Sequence, residues 1–83
     1  MKIILKPRSG TPEANLERAR HKMERVLSFR GTVESVKALG KTIEVKINIS
    51  PSWDLPQEQK VDSLNHWITA KVRTAFKVVS IST

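Results

Sequence analysis

From Thr42 to Ile49 every second residue is apolar: Ile43, Val45, Ile47 and Ile49 alternate with Thr42, Glu44, Lys46 and Asn48. Successive side chains of a strand point to opposite faces, so this run is neither an amphipathic helix nor a strand buried on both sides. It requires a sheet with one face on a core and the other in water or against a partner, which is the antiparallel arrangement. Lys41–Asn48 therefore reads as one arm of a hairpin and Thr32–Lys37 as the other. Ala38-Leu39-Gly40 joins them, the glycine supplying the positive φ that a three-residue loop needs. Val33 and Val36 cannot share a face of a regular strand, which predicts a bulged edge strand.

The remaining segments fall into place around that hairpin. Lys2–Lys6 reads as a short strand with Ile3 and Leu5 on one face and Lys2, Ile4 and Lys6 on the other, ended by Pro7–Gly10. Thr11-Pro12-Glu13 signals a helix start: a hydroxyl for an orphan amide, a proline in the first turn and a carboxylate at the positive end of the dipole. The helix is expected to run to about Ser28, with Leu16, Ala19, Met23, Val26 and Leu27 in one stripe. Ser50–Pro56 is rich in turn residues and leads into a second helix, Pro56–Phe76, with the stripe Val61, Leu64, Ile68, Val72 and Ala75. Its acids, Asp54, Glu58 and Asp62, precede its bases, Lys71 and Arg73, an order that complements the helix dipole. Lys77–Ser82 closes the chain as a strand, with Val79 and Ile81 inward or, in the other register, Val78 and Ser80.

The order strand, helix, strand, strand, helix, strand predicts an α+β, two-layer sandwich with both helices on one face of a four-stranded sheet. In element order (β-α-β-β-α-β) it resembles the ferredoxin-like superfold, with residues 1–83 as a single domain. That layout hosts many functions and selects none of them.

Composition narrows the chemistry. With 83 residues and no cysteine, the chain has no disulfide, no thiolate metal site and no thiol nucleophile, so neither metal nor cofactor is expected. Its longest apolar runs, such as Ile3-Ile4-Leu5, are far short of the ~20 residues of a membrane span, and the start lacks a secretory apolar region. A cytoplasmic location is the matching expectation. Fifteen Lys and Arg stand against eight Asp and Glu, and residues 1–30 hold eight of the bases with only three of the acids. A surplus of that kind draws anionic partners, above all nucleic acid.

On helix 1, Arg18, His21, Lys22 and Arg25 gather opposite the apolar stripe, with Arg8 and Arg30 near the two ends. Such a strip suits phosphates, arginine offering a fork to two oxygens. The plainer reading is a solvated face flanked by Glu17 and Glu24. Lys2, Lys6 and Lys46 form a second basic patch on the open side of the sheet, where no aromatic residue is expected for base stacking. Trp67 is placed at the core margin with a lysine, Lys60 or Lys71, over its ring, and Trp53 at the sheet end; both are also candidate anchors for a protein partner. His21 and His66 each follow a carboxylate, Glu17 and Asp62, by one helical turn, which is a common surface pairing with no catalytic motif beside it. The expectation is a small basic nonenzymatic nucleic-acid-binding protein that contacts mainly the phosphate backbone, with DNA and RNA both open as the ligand. The alternative is an interaction or regulatory module that docks on an acidic protein or forms a homodimer, through an edge strand, the open sheet or Trp53.

Overall fold

The computed structural model describes all of residues 1–83. It is an α+β fold in which four strands and two helices share one core. The strands are β1 (Lys2–Pro7), β2 (Gly31–Leu39), β3 (Thr42–Ile49) and β4 (Phe76–Ser82); the helices are α1 (Leu16–Leu27) and α2 (Gln57–Val72). The sheet order is β2-β3-β1-β4 and every neighbouring pair is antiparallel. β3 shows why: Ile43, Val45 and Ile47 are buried, and β1 sets Ile3 and Leu5 beside Val45 and Ile43. Ala19, Met23 and Leu27 of α1 and Leu64, Ile68 and Val72 of α2 close over that face. Each large aliphatic side chain in this core contributes about 1.5–3 kcal/mol by leaving water.

Both edge strands are bulged. In β2 the register jumps between Val33, opposite Ile47, and Ser35, opposite Lys46, so Val33 and Val36 both reach the core as their spacing predicts. In β4 the jump skips Val79: Val78 pairs with Leu5 and Ser80 with Ile4. Neither regular register expected for β4 holds, because the bulge lets Val78 and Ile81 face the core together while Val79 stays 52% exposed.

Several boundaries also move. The hairpin turn is two residues long, Leu39 pairing with Thr42 around Gly40 at φ +59°, rather than the three-residue loop expected. Pairing one step further keeps Ala38 opposite Ile43, and the Thr42 hydroxyl donates to the Leu39 carbonyl at 2.8 Å. Helix 1 opens with a 3-10 turn over Glu13–Asn15 before the α-helix begins at Leu16. Thr11 caps that turn, its hydroxyl accepting the Ala14 amide at 3.2 Å, and the buried Asn15 side chain donates to the Ser9 and Thr11 carbonyls. Helix 2 stops at Val72, not Phe76. The Ala75 amide turns back to the Val72 carbonyl and the Ala75 carbonyl accepts the Arg8 amide, both at 2.9 Å. Phe76 is thereby released into β4 opposite Pro7, its ring fully buried. An aromatic residue does lie in a strand, then, but on the core side.

Gly31 starts β2 with extended backbone, so its role is space and not conformational freedom. A Cβ there would overlap the backbone carbonyl oxygen of Asn48 on the neighbouring strand. Gly31→Ala is expected to cost about 1–3 kcal/mol, as overpacking against an immovable group does. Urea unfolding should show a lower midpoint, and an unchanged midpoint would remove this account of Gly31.

Candidate nucleic-acid interface between the helices

Each helix buries one stripe on the same sheet face, so their flanks meet along a shallow groove. The C-terminal halves run side by side, and two adjoining depressions of about 320 and 350 Å³ lie between them. The first is lined by Lys22, Arg25 and Val26 of α1 with Lys71 of α2; the second adds Ser28, Arg30, His66, Trp67 and Ala70. Four permanent cations and one histidine line the groove with no carboxylate among them. None of the four is within 4.0 Å of a carboxylate, since the two ion pairs of the molecule are Lys2–Glu44 and His21–Glu17.

Arg30 is held differently from the others. Its guanidinium carbon lies 4.3 Å from the Trp67 ring centroid and 4.9 Å from that of Phe29, so the planar cation sits against two aromatic rings. Trp67 in turn stacks on Trp53, with centroids 5.6 Å apart and planes at 26°. Both tryptophans are half-buried against the core. The cation on Trp67 is thus an arginine from the turn after α1, not the lysine of its own helix expected from spacing. A guanidinium stacks flat where an ammonium is a hydrated point charge, which favours Arg30 in this position.

The structure divides the candidates on and around helix 1. Lys22, Arg25 and Arg30 enter the groove; Arg8, Arg18 and His21 do not line it. Arg18 is exposed on the same outer face as Arg25 but nearer the start of the helix, and Arg8 follows β1, where its amide binds the Ala75 carbonyl. The exposed His21 stands 3.7 Å from Glu17, its expected partner, whereas Asp62 makes no ion pair with His66. Lys71 and His66 are the groove residues that sequence reading assigned elsewhere, to dipole compensation and to a surface pair.

The open face of the sheet is richer in lysine than expected. Cross-strand register puts Lys2 opposite Lys46, Lys6 opposite Lys77 and Lys37 opposite Glu44, so five lysines share this face. Glu44 sits among them, only 5% exposed, with Lys2 Nζ 3.8 Å away. Like charges directly opposite one another weaken a sheet, and a central carboxylate offsets part of that repulsion. Ile4 is the apolar neighbour of Glu44, and no aromatic side chain lies on this face.

Comparison with protein-family models, with curated proteins and with solved structures found no match.

The Arg30–Trp67 contact should be visible energetically. A double-mutant cycle with Arg30→Ala and Trp67→Leu is expected to give a coupling of about 0.5–2 kcal/mol in unfolding free energy. Additive losses would mean that the guanidinium and the ring are neighbours without interaction.

Proposed function

We propose that this protein is a small basic nonenzymatic nucleic-acid-binding protein that holds backbone phosphates in the groove between α1 and α2. The observation that carries the reading is the meeting, at one groove, of Lys22, Arg25, Arg30 and Lys71 with no lining acid and no ion pair to occupy them. Phosphate contacts of this kind set affinity and register without reading bases, and both DNA and RNA supply them. The fold reading that accompanies it is a ferredoxin-like layout, supported by the alternation of strands and helices and by β1 and β3 at the sheet centre. That layout adds nothing to the functional reading, which rests on the groove alone.

Neutralising four phosphates implies that log affinity falls with log salt at a slope of about −3 to −4. Arg25→Glu with Lys71→Glu should lower affinity at least about tenfold at 150 mM salt and flatten the slope by about 2, measured by fluorescence anisotropy on nuclease-treated protein. Arg18→Glu, on the same helix but outside the groove, is expected to have the smaller effect. Equal losses from the two variants would disperse the site over the whole helix face, and no loss from either would remove it.

The lysine-rich open face favours a second reading, an interaction module that docks on an acidic protein. This reading expects a stoichiometric partner that survives nuclease treatment and is lost on Lys2→Glu with Lys46→Glu. Retention of that partner by the sheet variant would place the contact elsewhere.

A further inference from the structure

Phe29 is the most exposed large apolar side chain of the protein, at 78%, while the chain's other phenylalanine, Phe76, is fully buried. It belongs to the short 3-10 turn Ser28–Arg30 that ends α1, immediately beside the groove. Ser28 is the only non-glycine residue with positive φ, at φ 52° and ψ −123°. That conformation is costly for a residue with a Cβ and breaks the helix just before Phe29. Within the monomer the ring's one recorded partner is the Arg30 guanidinium, and most of its surface is left in water. Arg30 lies 4.9 Å from the Phe29 centroid, so a cation of the phosphate groove and the free ring are held together.

An exposed aromatic face beside a strip of unpaired cations has the two parts that single-stranded nucleic acid requires: charge that follows the backbone and a platform on which a base can stack. A duplex satisfies only the first, because its bases are already stacked on each other. Resting on the groove reading above, we infer that the preferred ligand is a single strand whose phosphates lie along Arg25, Arg30 and Lys71 and one of whose unpaired bases stacks on Phe29. Stacking of this kind accepts any base, since every base has a π-face, so the inference carries no sequence preference.

The test is an anisotropy titration of nuclease-treated protein with three labelled oligonucleotides of about twelve nucleotides: a single strand, the matching duplex and a fully abasic strand with the same phosphates. Each is made as DNA and as RNA, so that the tighter series identifies the backbone. Wild type should prefer the single strand over both others. Phe29→Ala should weaken single-strand binding by about 5- to 100-fold and the abasic strand far less, by no more than the loss of one ring beside Arg30 allows, and Phe29→Trp should restore single-strand binding. Equal urea midpoints establish that the variants are folded. If Phe29→Ala changes nothing, or weakens the abasic strand as much as the natural one, the stacking site is overturned. The groove reading survives that result if Arg25→Glu with Lys71→Glu still abolishes binding. Failure of wild type to bind any of the oligonucleotides overturns both.

Discussion

The sheet is buried on one side only, and the rest of the structure follows from that. Ile3, Leu5, Ile43, Val45 and Ile47 all point the same way from the two central strands, and both helices carry a single apolar stripe. Two stripes competing for one face leave the helices no choice but to lie beside each other across it. Their flanks are then brought together by the core, so the groove is a by-product of burial and its lining is whatever borders the stripes. Val26 is the residue where the two roles join. It packs half-buried against the core and also lines both depressions. Enlarging or shrinking it would move the groove walls along with the packing.

Most of this architecture was legible because its elements are strongly periodic. The stripe of helix 1 and the alternation of β3 place their residues in or against the core as the sequence predicts, as do Leu64, Ile68 and Val72 of helix 2. Val61 stays outside it and Ala75 is buried beyond the end of the helix, while the Val33–Val36 spacing betrays the bulge in β2. The bulge in β4 was not legible. Val78 and Val79 are chemically interchangeable, and only pairing with Ile4 and Leu5 on β1 decides which of them is the extra residue. The same limit hid Lys37 and Lys77 from the open face, since their side is fixed by register and not by local pattern. For the groove, helical rotation gathered Lys22 and Arg25 correctly, but nothing in one helix reveals which residues of another will face it. Lys71 and His66 entered through that packing, as did the Trp53–Trp67 stack and the seat of Arg30.

The sheet lysines have an explanation that needs no ligand. Lys37 lies on β2 and Lys77 on β4, the two edge strands, and each of those strands is also bulged. Lysine and bulges at exposed edges discourage a second chain from adding a strand. Lys2, paired with Glu44 at 3.8 Å, is tied to the charge balance of the face itself. Only Lys6 and Lys46 are then left without such a role, too few to make the open face the stronger candidate on charge alone.

The groove has its own competing explanation, and magnitudes separate the two. Arg25 and Lys71 stand in the last turns of α1 and α2, where cations offset the partial negative charge of a helix C-terminus. Each helix end carries only about half an elementary charge, so two ends account for roughly one unit. Four permanent cations line the groove, and neither an acid in its wall nor an ion pair outside it absorbs the remainder. Dipole compensation would also act on lysines and arginines in any orientation, whereas Arg30 has its guanidinium carbon over the Trp67 ring, 4.3 Å from the centroid. A guanidinium held that way gives up little further conformational freedom when it meets an anion. The surplus charge and the seat of Arg30 on Trp67 are the two observations on which the proposed anion-binding role of the groove rests.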